Sequence, residues 1–262
     1  PPGYIMGFIG PNGAGKSTTI KLIMNLLKKD GGYINVFGKD HVQYEKEIKN
    51  QIGFVYDENH FYEDLTVKEM KRIIAPLYKS WDENAFKKYL KIFELPENKK
   101  IKDLSKGMKM KFSLAIALSH GARLLIMDEP TSGLDPVFRS ELLDILTDLI
   151  QDENKSVFFS THITSDLDKV ADYITFIHDG KIILSDTKDN ILDNYGIVKG
   201  GNELLDDDSK KIFIGIRSNR FGFEGLVADK EKAMLLFKDR AVVEKPSLED
   251  IMLYTVRRNQ YV

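Results

Sequence analysis

Apolar residues recur along this chain at two spacings, and the alternation between them lays out its elements. Residues 4–9 form a short apolar run that predicts a buried strand, and from Ser17 onward Ile20, Ile23, Met24 and Leu27 fall on one side of a helix. Strand, glycine-rich loop and helix therefore follow in order. Gly31-Gly32 turns the chain into YINVF, a predicted strand, and residues 52–56 predict a further one. Over residues 61–122 the pattern becomes helical. Thr66 with Glu69 forms a capping box, Pro76 kinks or ends the helix that follows, and Phe86, Tyr89, Leu90 and Phe93 make the stripe of a second helix. Ser105 caps a third, with Met108, Phe112 and Ala115 on one face and Gly121 at its end.

Strand signals return at residues 124–127 and 157–160 as unalternating apolar runs, the pattern of strands covered on both faces of a parallel sheet. Between them Asp135 caps a helix with Pro136 in its first turn and Phe138, Leu142, Ile145, Leu146 and Leu149 on its inner stripe. Asp179-Gly180, between apolar runs within residues 173–184, predicts a hairpin. Past Asn194 the pattern weakens to a loop at 206–208, a strand at 212–216 and a capped helix at 247–257. The expected fold class is α/β: a parallel-sheet core within residues 1–195, an inserted helical subdomain at about 61–122, and a small α+β appendage at 196–262.

Composition narrows the field without naming a partner. The 262 residues carry 38 Lys and Arg against 40 Asp and Glu, so no global basic field draws nucleic acid, and no direct nucleic-acid contact is expected. Cysteine is absent, which excludes disulfides and thiolate metal sites. No apolar run approaches the ~18 residues that span a bilayer, and PPGYIMGFIG lacks the features of a signal peptide. The cytosol is the default location, and a membrane role would pass through a partner.

The chemistry starts at Gly10-Pro11-Asn12-Gly13-Ala14-Gly15-Lys16-Ser17-Thr18, which fits the phosphate-loop pattern and has the required strand before it and helix after it. Glycines let the main chain close around phosphate oxygens and aim successive N–H groups inward, and the helix adds its positive end. Lys16 can bridge the outer phosphates, and Ser17 can place its hydroxyl on Mg²⁺. The fold expected around this motif is that of a P-loop NTPase. RLLIMDEP then runs a buried strand into Asp128 and Glu129, at the sheet edge where α/β folds bind ligands. Asp128 can hold Mg²⁺, and Glu129 can take a proton from, or orient, the attacking water. Without the phosphate loop upstream, such a pair would read as a helix cap or a surface pair. His162, directly after VFFST, faces the same edge and could contact a γ-phosphate. His41, His60, His120 and His178 have no such setting and are read as structural.

Taken in order, these motifs resemble the ATPase subunit of an ATP-binding cassette transporter over roughly residues 1–185. LSKGM, Leu104 to Met108, stands where that family has LSGGQ; SGLD, Ser132 to Asp135, is similar to its D-loop; STH is similar to its switch histidine; IGFVYD resembles its Q-loop strand. The resemblance implies ATP and Mg²⁺ as cofactors and a head-to-tail pair of cassettes, a homodimer or two paired ATPase subunits. Each ATP would then lie between one phosphate loop and the other copy's Ser105, Lys106 and Gly107, with Asp135 adjoining. It also implies a separate integral membrane permease docked on the helical subdomain, and a place on the cytoplasmic face of the cell membrane. Lys106 replaces the usual Gly and Met108 the usual Gln; the extra charge could strengthen phosphate contact or slow product release. Six lysines against the one acid Asp103 between Lys99 and Lys111 otherwise read as a solvated helix face. Asp57, with Glu58 as the alternative, stands in place of the Q-loop glutamine, where a carboxylate can still ligate Mg²⁺. The family's leading strands and adenine-stacking aromatic are not found ahead of Gly10; the expectation is either a missing N-terminal piece, the favoured reading, or a base held otherwise, and no residue is assigned to adenine.

The expected function is ATP hydrolysis that powers a membrane exporter of peptides or drugs. The alternative is a non-transport cassette ATPase acting on ribosomes or chromosomes. Against it stand a single cassette, a balanced charge and the lack of a long coiled coil or basic arm. A regulator without turnover is disfavoured by the intact Glu129.

Overall fold

The computed structural model describes residues 1–56 and 60–257. It has two compact units: Pro1–Phe8 with Gly15–His162, and Ile9–Ala14 with residues from 163 onward.

In the first unit, β1 (Ile5–Ile9) leads to α1 (Lys16–Ile23), a two-residue pair β2 (Asn35–Val36) and β3 (Lys39–Asp40), α2 (Glu45–Lys49) and β4 (Ile52–Val55). Three helices follow, α3 (Val67–Ile74), α4 (Glu83–Ile92) and α5 (Lys106–Leu118), and then β5 (Leu124–Asp128), α6 (Pro136–Leu149) and β6 (Ser156–Thr161). The strands lie in the order β4, β5, β6, β1. β4, β5 and β6 run parallel, with Val55 opposite Met127 and Asp128 opposite Ser160 at their carboxyl ends. Parallel neighbours are covered on both faces, which is why β5 and β6 carry unbroken apolar runs. Ile20, Met24, Ile52 and Ile126 pack together beneath the sheet edge.

Several local expectations meet their physical limits here. The helix from Ser17 ends at Ile23 because Asn25 takes a positive φ of 52°, and Leu27, expected on the inner stripe, is instead exposed. YINVF yields only Asn35–Val36, since Phe37 turns the chain at φ 53° and ends the ladder. The helical segment agrees closely. Thr66 and Glu69 close a reciprocal capping box on α3, whose last residue is Ile74, and Pro76 lies within the short 3₁₀ turn Ala75–Leu77 that follows. Ser105 Oγ accepts the Met108 N–H at 3.2 Å at the start of α5. Phe112 is fully buried, with ring centroids 4.9 Å from Phe61 and 6.4 Å from Phe86. On α6 the buried stripe is Phe138, Leu142, Leu143 and Leu146, so Leu143 joins it while Ile145 and Leu149 stay half-buried.

In the second unit, α7 (Thr164–Val170) precedes the antiparallel hairpin of β7 (Tyr173–His178) and β8 (Lys181–Thr187). Its turn is Asp179-Gly180, both at positive φ, as the dipeptide predicts. After α8 (Lys188–Asn194) come β9 (Gly196–Gly200), β10 (Phe213–Asn219), β11 (Gly222–Val227), α9 (Lys230–Phe237), β12 (Ala241–Glu244) and α10 (Leu248–Val256). The four strands form an antiparallel sheet in the order β10, β11, β9, β12 around Phe213, Phe223 and Phe237. The sequence signalled only one of them. Glycines at 196, 200, 222 and 225 dilute the strand pattern, yet Gly225 is set where a Cβ would lie 2.5 Å from the Phe213 ring.

His120, read as structural, is buried between α5 and β4. Its Nδ1 is 3.1 Å from the Ile116 carbonyl, its Nε2 3.0 Å from the Ile52 carbonyl, and its ring stacks on Tyr78 at 3.8 Å. Burial pushes the imidazole below its ordinary value, against the two carbonyls that favour the charged ring. A histidine lowered in this way stabilises the fold fully above its unfolded value of about 6.5, and that contribution is lost as pH falls toward the folded value. The urea midpoint is therefore expected to fall between pH 7.5 and 5.5, and a His120→Gln variant should lose part of that fall; an identical pH profile in the variant would assign the effect elsewhere. On α6, Leu146→Ala should cost about 2–5 kcal/mol and Val137→Ala, at an exposed position, within about 0.5 kcal/mol, measured by chemical denaturation. Equal costs would contradict the assigned inner face.

Candidate functional site

The carboxyl end of β5 is where the first unit gathers its charge. Asp128 is the last residue of the strand and is buried, and Glu129 steps off it at φ 49°, a left-handed conformation that costs an L-residue about 1–3 kcal/mol. The neighbouring strand holds that step. The Glu129 N–H donates to the Ser160 carbonyl at 3.1 Å and lies 3.2 Å from Ser160 Oγ. Ser160 Oγ in turn donates to Asp128 Oδ1 at 2.6 Å.

The Glu129 carboxylate is shared between two partners. Its Oε1 lies 3.2 Å from Lys16 Nζ, and the two side chains are only 13% and 5% exposed. Its Oε2 accepts from His162 Nδ1 at 2.8 Å and from the His162 main-chain N–H at 3.3 Å. A carboxylate only accepts, so the ring nitrogen that faces it, Nδ1, carries a proton. The His162 side chain is 41% exposed, so the cluster has a buried cation at one end and an accessible imidazole at the other. Tyr56, nearby in the same unit, has its hydroxyl pushed up by burial and by the Asp128 charge.

Lys16 is held by the first turn of α1, whose N-cap Gly15 sits at φ 109° and supplies no side-chain cap to the helix N–H groups. Thr19 Oγ1 donates to the Gly15 carbonyl at 2.9 Å, while Ser17 is half-buried and Thr18 exposed. In the second unit, the preceding stretch is fixed by its own contacts. The Ala14 N–H donates to the Pro11 carbonyl and the Gly180 N–H to the Ala14 carbonyl, at 3.1 and 3.0 Å. A Cβ at Gly10 would lie 2.3 Å from the Ile177 carbonyl oxygen, which excludes any side chain there. Asn12 and Gly13 are exposed, and Gly13 adopts φ 81° with open space around it.

The structure thus brings Lys16, Asp128, Glu129 and His162 into one cluster. Ser105, Lys106, Gly107 and Asp135 form another grouping. Asp135 Oδ1 caps α6 through the Val137 and Phe138 N–H groups, a Cβ at Gly107 would lie 3.7 Å from the Phe138 ring, and Lys106 Nζ lies 3.3 Å from where Gly133 would carry a Cβ. Lys102, Lys109 and Lys111 pair with Asp64, Glu63 and Glu141, as a solvated basic face would. Asp57, the Q-loop candidate, and Glu58 beside it lie outside the described residues. Ser160 was not anticipated. It closes an apolar run one strand away from Asp128, and only the parallel register shows that the two residues meet.

The donor set suits a polyphosphate and a hard cation. An uncapped helix start and a buried ammonium attract anionic oxygen. A hydroxyl at Ser17 and a single carboxylate at Asp128 are the oxygen ligands Mg²⁺ takes when phosphates and water complete its shell.

Comparison with known proteins identifies the family. A family model described as ABC transporter matches residues 1–132. The bacitracin transport ATP-binding protein BcrA of Bacillus licheniformis is 39% identical over 183 residues, 69% of this chain and 60% of that protein. A fluoroquinolones export ATP-binding protein of Mycobacterium tuberculosis is 32% identical over 229 residues, covering 87% of this chain and 74% of that one. The chain spans about 60% of the length of the first of these curated relatives. A solved ATP binding subunit of an ABC transporter superposes with a TM-score of 0.64 at 30% identity, over 72% of this chain and 81% of the other. Its α/β core of parallel strands around a phosphate loop is the P-loop NTPase fold, and the chain belongs to the ABC transporter family.

Proposed function

We propose that this chain binds ATP with Mg²⁺ and hydrolyses it to power a separate integral membrane exporter. The observation that carries the proposal is the Glu129 carboxylate, fixed between a buried Lys16 ammonium and the His162 ring. A triphosphate entering beside Lys16 competes for its ammonium, because phosphate oxygens carry more negative charge than one carboxylate. Glu129 Oε1 is then released toward the γ-phosphate side, while His162 still holds Oε2. Positioned this way, Glu129 orients the attacking water and accepts its proton, and His162, when both ring nitrogens carry protons, can donate from Nε2 to a γ-phosphate oxygen. Ser17 and Asp128 would hold Mg²⁺, which would supply positive charge to offset that of the triphosphate.

In this reading residues 1–195 are the ATP-binding domain, the helical segment at about 61–122 meets the membrane subunit, and residues 196–262 are an appendage. Two copies, or one copy and a paired ATPase subunit, close head to tail on ATP at the cytoplasmic face of the membrane, with Ser105, Lys106 and Gly107 of one facing the phosphates of the other. An N-terminal helix end with a cation at its first position suits that contact. Among the described residues no helix is long and apolar enough to cross a membrane, and the proposal assigns the crossing to the separate subunit. The names of the relatives, for bacitracin transport and fluoroquinolone export, support a peptide or drug as cargo.

Glu129→Gln is expected to keep ATP binding while steady-state turnover drops about 10²- to 10⁴-fold; an unchanged ATPase rate would remove Glu129 from the chemistry. Lys106→Gly should change turnover or the ATP dependence of self-association, and no change in either returns Lys106 to the solvated face. Affinity capture from native membranes should recover an integral membrane protein. Recovery of ribosomal or chromosomal partners in its place would overturn the transport reading.

A further inference from the structure

We propose that Ser160 is a positioning residue for the metal-assisted reaction, setting the Asp128 carboxylate and the Glu129 backbone with one hydroxyl. The inference rests on the ATPase reading above.

The geometry is specific. Ser160 is fully buried and lies directly opposite Asp128 in the parallel ladder. Its Oγ donates to Asp128 Oδ1 at 2.6 Å, within the range of a charge-assisted hydroxyl-to-carboxylate bond, and takes the Glu129 N–H at 3.2 Å. A hydroxyl has one proton to give and lone pairs to receive, and both capacities are used on adjacent acids. No apolar side chain can do this, and neither can a side chain that only donates or only accepts.

Two consequences follow. Bonded at Oδ1, the buried Asp128 carboxylate is restrained in orientation, as a ligand of a hard cation with strict geometry needs to be. The second consequence concerns Glu129. Its left-handed backbone is an unfavourable conformation that persists only where neighbours over-determine it, and its N–H is tied to both the carbonyl and the hydroxyl of Ser160. Without the hydroxyl, the step that aims Glu129 at Lys16 and His162 keeps only its ladder bond. Ser160 therefore acts on both acids through a single hydroxyl.

The test compares wild type, Ser160→Ala and Ser160→Thr as purified full chains, at a temperature where circular dichroism shows all three folded. Two readouts are taken: steady-state ATPase against Mg²⁺ concentration, and binding of a fluorescent ATP analogue in EDTA and in Mg²⁺. For Ser160→Ala the half-saturating Mg²⁺ concentration should rise about 10- to 100-fold, the range found for groups that orient metal ligands. Its turnover should fall, its binding in EDTA should match wild type, and the Mg²⁺-dependent gain in analogue affinity should shrink. Ser160→Thr, which keeps the hydroxyl, should restore the Mg²⁺ dependence at least in part. If Ser160→Ala shows the wild-type Mg²⁺ profile in both readouts, the positioning role is overturned, whatever happens to stability. If wild type itself neither hydrolyses nor binds Mg-ATP, the ATPase reading falls first, and the inference with it.

Discussion

One carboxylate, Glu129, has to satisfy a buried cation and an imidazole at once, and the surrounding architecture can be understood as the means of keeping it there. The Lys16–Glu129 pair is largely buried, and breaking such a pair costs several kcal/mol. The partner must come from a different part of the chain, since Lys16 begins α1 and Glu129 follows β5. Parallel strands do this well. Their carboxyl ends lie side by side, so residues that follow separate strands converge on one edge. The same edge carries Asp128 and, one strand over, Ser160 and His162.

The helical segment and the appendage relate to that edge differently. α3 to α5 are built from locally complete devices: a capping box at Thr66, a cap at Asp82 on α4, another at Ser105, and an aromatic cluster around Phe112. Such a segment can begin and end its helices without help from the sheet. The appendage relies on close backbone approach. A Cβ at Gly215 would lie 2.7 Å from the Tyr254 carbonyl oxygen, and the Tyr254 hydroxyl donates to Glu224 at 2.5 Å, so β10, β11 and α10 are bound together at one point.

What the sequence revealed divides along the same line. Features fixed within a few residues were legible: the strand, loop and helix around Lys16, the Thr66 box, the Asp135 cap with Pro136 behind it, and the Asp179-Gly180 turn. The candidate site residues could be named because each ends an apolar run or opens a helix. Their mutual bonds could not, because the Lys16 to Glu129 pair and the Ser160 to Asp128 bond link positions that only the strand register brings together. Hydrophobic spacing also overran at Leu27, where a single positive φ at Asn25 ends the helix, and faded in the glycine-rich strands of the appendage. Where a glycine replaces a side chain for packing reasons, the pattern loses a letter just where the fold gains a contact.

The left-handed step at Glu129 sets selection for stability against selection for chemistry. Glycine takes that conformation without strain, so a chain with glycine at 129 would relax its backbone there. It would also remove the ion pair with Lys16 and the bond with His162. A side chain retained against the preference of its own main chain marks a compromise between durability and work, and here it falls on the residue that joins the phosphate-loop lysine to the imidazole.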